Sequence, residues 1–154
     1  MDSRNHLITR TLAQTPLNLA LDPSIHHAPL YLCKVPAGFP SPATDYMEDG
    51  LDLNEFLIKH KAATFLFRVQ GHSMRDAAIV NGDKVVVDRS LEPKHNQIVI
   101  AVVDGEYTIK RLYRTRERIE LRAENPAFDP IVISGDSQLE IWGVVVGVIR
   151  RYPA

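Results

Sequence analysis

From residue 63 onward, apolar and polar positions tend to alternate, and this period of two sets the expected fold. Segments 63–70, 84–88, 97–103, 106–112, 118–123, 131–134 and 138–150 are rich in Val, Ile, Tyr and Phe, as half-buried strands are. Turn residues separate them: Asn81-Gly82-Asp83, Asp104-Gly105, Glu124-Asn125-Pro126 and Gly135-Asp136. Between Val103 and Glu106, Asp104-Gly105 suits a two-residue type I′ turn, whose central residues both need positive φ. A hairpin is therefore predicted there. The fold class expected is mostly β, a curved multi-strand domain of Greek-key or barrel-like course.

The period changes at 51–60. Leu53, Phe56 and Leu57 fall at i, i+3 and i+4, with Asp52 placed as N-cap and Glu55 three residues on, as in a capping box. One short helix packed on the sheet is predicted. Residues 1–37 are different again, with three histidines and only short apolar pieces at 17–21 and 30–32. They leave no room for a helix-turn-helix and read as an extended N-terminal arm, with one short helix near 8–13. At 35–42, Val-Pro-Ala-Gly-Phe-Pro-Ser-Pro holds three prolines, which remove backbone donors and bias the preceding residues to extended conformations. That stretch is expected to be an accessible connector. The chain thus divides into an arm, 1–37, and a domain, 38–154.

Composition narrows the function classes. A chain of 154 residues with 45% hydrophobic and 24% charged residues suits one globular domain with a real core. Its net charge of −1 supplies no general field for nucleic acid. Cys33 is the only cysteine, which excludes an internal disulfide and a multi-cysteine zinc site. His6, His26 and His27 lack zinc-type spacing, so no metal or cofactor is expected. No apolar run reaches the roughly 18 residues of a membrane span, and the N-terminus lacks the pattern of a secretory signal. A cytoplasmic protein is expected.

The candidate chemistry lies at Gly71-His72-Ser73-Met74, where a strand breaks at glycine and presents a serine. A serine hydroxyl needs a base, and no histidine stands in a context that recommends a Ser-His-Asp triad. Lysine serves if burial makes it neutral. On the strand Tyr107-Thr108-Ile109-Lys110-Arg111-Leu112, alternation puts Lys110 with Thr108 and Leu112 on one face and Arg111 on the other. Since one cation must lie on the core side and arginine stays charged, Lys110 is the better inward candidate. Thr108 is then placed to hydrogen-bond the amine. Arg111, Arg114, Arg116 and Arg118 read as a basic cluster around a turn, and 141–146 as a core strand or a dimer seam.

Gly71-His72-Ser73-Met74 followed by Lys110 resembles the LexA/UmuD family of self-cleaving serine peptidases. The likeness takes in Gly38-Phe39-Pro40-Ser41-Pro42-Ala43, Leu51-Asp52-Leu53-Asn54, the run 97–110 and Gly143-Val144-Val145, and so spans residues 38–154. It implies a LexA-like β domain in which Ser73 is the nucleophile and Lys110 the general base, then acid. The backbone N–H groups of Ser73 and Met74 would stabilise the oxyanion. The bond cut would be the chain's own Ala37-Gly38. The resemblance further implies a homodimer, stimulation by a RecA filament on single-stranded DNA, and a trimmed product that joins a Y-family translesion polymerase. LexA-type members carry a DNA-binding domain before the scissile bond. The 37 residues before Gly38 are too few for one, which favours the UmuD branch without sequence-specific DNA binding. His72 departs from the acidic residue usual in the family, and Pro36 lacks a donor beside the cleavage point. A non-proteolytic homodimeric module that binds the polymerase is the alternative function.

Overall fold

Strand β5 (Ile98–Val103) contains no polar residue, because both of its faces are covered. Val99 and Ala101 pack with Leu112, Leu121 and Val144 on one side of the sheet. Ile100 packs with Phe67, Val69, Met74, Ile79, Val85, Val87 and Trp142 on the other. A strand buried on both faces reads as a continuous apolar run rather than an alternating one. The computed structural model describes residues 27–31, 35, 37, 38, 47–135 and 137–153.

β5 is the middle of a seven-stranded sheet. Its other members are β3 (Thr64–Arg68), β4 (Lys84–Asp88), β6 (Glu106–Arg114), β7 (Ile119–Arg122), β8 (Ile131–Val132) and β9 (Leu139–Ile149), in the order β3-β4-β9-β5-β6-β7-β8. Every neighbouring pair is antiparallel. β9 returns from the end of the chain to lie between β4 and β5, the non-sequential course expected of the Greek-key reading. Both of its ladders slip register, opposite Val86/Val87 and opposite Ile100/Ala101. Such irregularities bend a strand and increase its twist, so the sheet curves. Among the described residues β3 and β8 pair only inward, so the sheet is not closed into a barrel.

The predicted hairpin is present. Val103 pairs with Glu106, and Asp104 and Gly105 take φ of 49° and 87°, both positive as a type I′ turn requires. Helix α1 (Leu53–Leu57) is shorter than expected, and Asp52 caps it, its Oδ1 accepting from Asn54 N at 2.8 Å and Glu55 N at 3.3 Å. The expected packing of this helix on the sheet needs correction. One turn brings only Leu57 against the strands, over Gly147, while Leu53 and Phe56 are exposed.

Two strands were not anticipated: β1 (His27–Tyr31) and β2 (Met47–Asp52) form a separate antiparallel pair. β1 lies within the expected arm, so part of that arm is sheet. The connector is described at Val35, Ala37 and Gly38, none of them helix or strand. The helix expected near 8–13, Cys33, His6, His26 and Pro36 lie outside the described residues. Segment 141–146 is core at Trp142, Gly143 and Val144, while Val146 is exposed. Among the described residues no helix is long and apolar enough to cross a membrane.

Candidate active site

Ser73 stands on a loop whose neck is tied on both sides. Past the end of β3, Val69 N donates to Asp83 O at 2.8 Å and Gly82 N to Val69 O at 2.9 Å. Within the loop, Gly71 takes φ of 90°, and its N–H donates to Asn81 Oδ1 at 2.9 Å. Left-handed backbone of this kind favours glycine, and it turns the chain so that Ser73 and Met74 point apart. Met74 is 1% exposed and plugs the core, and its carbonyl accepts from Ala77 N and Ile79 N. Ser73 is thereby held at the rim.

Lys110 comes from β6, where it pairs with Val99 while Thr108 pairs with Ala101. Directly opposed residues share a face, so Lys110 projects onto the side where Val99 and Ala101 are fully buried. Its side chain crosses to the serine. Nζ lies 3.0 Å from Ser73 Oγ, 2.9 Å from Thr108 Oγ1 and 3.0 Å from Ile109 O. Lys110 is 8% exposed, and burial lowers its pKa from the ordinary lysine value. Among the described residues no carboxylate pairs with it. Nζ donates to all three oxygens, and burial without a charged partner among the described residues favours loss of its proton.

The pair opens onto a groove of about 480 Å³ whose wall includes Phe67, Val69, Ile100 and Tyr107. Phe67 and Tyr107 rings lie 5.6 Å apart, and Trp142 backs Phe67 edge-on at 4.9 Å. Ala37 and Gly38 are outside this groove. Both are exposed, as is Val35, and a Cβ placed on Gly38 would meet nothing within 4 Å. Of the residues singled out in the sequence, Ser73, Thr108 and Lys110 are brought together, with Met74 in the core beneath, and the described connector residues Ala37 and Gly38 are not among them.

Two groups around the site were missed, and a third at the opposite end of β4. Buried Asn125, in what reads as a plain turn, donates from Nδ2 to His72 O at 2.9 Å. Asp83, 2% exposed, takes a fork from Arg150: Nε to Oδ1 at 2.6 Å and Nη2 to Oδ2 at 2.7 Å. Arg150 also donates to Ala78 O at 2.8 Å, and Asp83 Oδ2 accepts from Val80 N at 2.8 Å, so the end of β9 anchors the serine loop. His60 Nδ1 lies 2.5 Å from Asp88 Oδ2, a histidine–carboxylate pair 28 positions apart. Ser90 Oγ donates to the same carboxylate at 2.6 Å, not to the histidine, so this cluster is no nucleophilic triad. Burial pushes the Asp88 carboxyl up, but hydrogen bonds from Ser90 and His60 outweigh it and leave the pKa lowered.

The basic cluster is largely engaged within the fold. Arg111 pairs with Glu124 and donates to Asn96 O. Arg114 reaches Pro93 O, and Arg118 pairs with Glu120 at 3.0 Å.

Comparison with known proteins shows the family. The family model described as Peptidase S24-like matches residues 29–146. The chain is similar to protein ImpA of Salmonella typhimurium, 48% identical over 124 residues, 80% of this chain and 83% of that one. It is 43% identical to protein MucA of Salmonella typhimurium over 130 residues, 84% of this chain and 88% of MucA. It is also 43% identical over 117 residues to LexA repressor 1 of Geobacter sulfurreducens, covering 75% of this chain and 57% of the repressor.

Proposed function

Because the chain belongs to the peptidase S24-like family, that of LexA and UmuD, we propose that it is a serine peptidase that cuts its own Ala37–Gly38 bond with a Ser73–Lys110 dyad. The observation that supports this most is the 3.0 Å approach of Lys110 Nζ to Ser73 Oγ where, among the described residues, no carboxylate pairs with the lysine. When the connector enters the groove, Lys110 Nζ takes the hydroxyl proton of Ser73 and Oγ bonds to the carbonyl carbon of Ala37. The backbone N–H groups of Ser73 and Met74 hold the oxyanion, each such donor worth about 3 kcal/mol. Collapse breaks the bond to Gly38, whose nitrogen leaves with the proton from Lys110. Water then hydrolyses the Ser73 ester with Lys110 again as base. Small side chains at Ala37 and Gly38 let the backbone come within attack distance.

The products are the arm 1–37 and the domain 38–154. Likeness to the UmuD branch supports a cytoplasmic homodimer whose cleavage is stimulated by a RecA filament on single-stranded DNA. The trimmed homodimer then serves a Y-family translesion polymerase. In the test, purified full chain is held near about pH 10, where lysine deprotonates, and followed by mass spectrometry. A fragment beginning at Gly38, absent from Ser73→Ala, is expected; no fragment, or the same fragment from Ser73→Ala, overturns the reading.

The exposure of Ala37 and Gly38 favours a second reading, a homodimeric module that binds the polymerase uncut. It requires that an uncleavable chain support polymerase activity as well as the trimmed one.

A further inference from the structure

We propose that Asn125 is a positioning residue for the nucleophile: by holding the carbonyl of His72, it aims the amide N–H of Ser73 into the groove. This rests on the Ser73–Lys110 reading above. In a planar trans peptide the C=O of one residue and the N–H of the next point in opposite directions, and the described residues contain no cis bond. Asn125 Nδ2 donates to His72 O at 2.9 Å from a side chain buried to 5% exposure. The N–H of Ser73 therefore faces away from Asn125. Ser73 lines the groove and Asn125 does not, and the groove side is taken as the one this N–H faces. Neither Ser73 N nor Met74 N donates to an acceptor among the described residues, which leaves both free for the oxyanion.

The chemistry of the side chain is specific. His72 O can only accept, and Ala127 N, which meets Asn125 Oδ1 at 3.0 Å, can only donate. A neutral amide supplies a donor and an acceptor from one planar group, which an ionised carboxylate cannot do. The loop carrying Asn125 is braced by Phe128 N donating to Asn125 O at 3.1 Å. It also reaches residues near each member of the dyad. Glu124 O accepts from Asp76 N at 2.9 Å, beyond Ser73, and the Glu124 carboxylate pairs with Arg111, next to Lys110. One loop thus sets the register of the serine turn against the lysine strand.

The test measures self-cleavage of the full chain against pH for the parent and for Asn125→Ala, with melting curves for both. The expected result is a plateau rate about 10- to 100-fold lower, the cost of a small misplacement, with the pH midpoint set by Lys110 unchanged and the protein folded at assay temperature. A plateau equal to the parent's, or a loss explained by a moved midpoint, overturns the proposal. Asn125→Asp keeps the volume and the bond from Ala127 but trades the donor for a buried negative charge facing His72 O; it carries the same test if the alanine variant does not fold. A readout independent of cleavage is alkylation of the thiol introduced by Ser73→Cys, located by peptide mass. Adding Asn125→Ala is expected to slow it; an unchanged rate overturns the proposal. Slower alkylation in a chain that never cuts itself sinks the peptidase reading and leaves the positioning role standing.

Discussion

Thr108 and Lys110 stand two positions apart on β6, and the threonine hydroxyl accepts a hydrogen bond from the lysine amine at 2.9 Å. That bond orients the amine beside Ser73, and it favours the charged form more than the neutral one, since bonds to charged groups are stronger. Thr108→Val keeps the shape and removes the acceptor. Its pH–rate midpoint for self-cleavage is expected to move to lower pH, with the plateau falling about five- to tenfold, the worth of one neutral hydrogen bond. The parent profile should rise as Lys110 loses its proton and level off below the ordinary lysine range, because burial lowers this pKa. A midpoint moving to higher pH in the variant would contradict the assignment.

The same burial has a cost in stability. A lysine whose folded pKa is depressed binds fewer protons folded than unfolded, so stability rises with pH between the folded and unfolded values. Below the folded value, folding must keep a buried cation without a carboxylate partner. Lys110→Met removes that charge at similar volume. It is expected to abolish cleavage and to stabilise the fold at pH 7 by on the order of 1 kcal/mol. The advantage should shrink as pH approaches the ordinary lysine pKa. Urea melts at several pH values measure it; a variant less stable than the parent at neutral pH would be the contrary result.

Asp83 behaves in the opposite sense. The hydrogen bonds from Arg150 hold its carboxyl below the ordinary value of 3.8, against the push of burial. Its contribution is fully present above that value and is lost as pH falls through the lower folded one. Arg150→Ala is expected to lower the melting temperature at neutral pH and to move acid unfolding to higher pH. Self-cleavage should fall as well, since Arg150 also secures Ala78 O in the serine loop. Circular dichroism between neutral and acid pH reads the first two effects; an unmoved acid transition would show that the fork does not carry this linkage.

At Gly143 the packing around β9 leaves no room for a side chain. A Cβ there would come to 2.7 Å of Val87 Cγ1 and 3.1 Å of Asp88 O, the second a backbone atom that cannot swing aside. Gly143→Ala is expected to destabilise by about 1–3 kcal/mol, the usual cost of overpacking, with cleavage by the folded fraction little changed. Denaturant titration gives the number, and a loss below about 0.5 kcal/mol, as at an indifferent surface site, would mean that the strands separate easily.

The parts of this molecule readable in the sequence are those with local causes. Asp104-Gly105 dictates its own turn, Asp52 caps its own helix, and strand alternation alone puts Lys110 and Arg111 on opposite faces. What could not be read depends on partners far along the chain. His27–Tyr31 contains Pro29 and no alternation, and it is a strand because Met47–Asp52 pairs with it. Leu53 and Phe56 have the spacing of a buried face, but a helix of five residues is too short to bring them onto the sheet. Asn125 looks like any turn residue before proline until the fold carries His72 against it, 53 positions away. Arg150 and Asp83 are separated by 67.

The exposed Ala37 and Gly38 also set a tempo. In the proposed reaction the observed rate is the chemical step multiplied by the fraction of chains whose connector lies in the groove. A chain docked about 1% of the time cuts about a hundredfold slower than its dyad allows. A partner that favours the docked form can recover that factor without touching Ser73 or Lys110. The intact protein then behaves as a timer whose delay is written in a conformational equilibrium, and whose reset is the synthesis of a new chain.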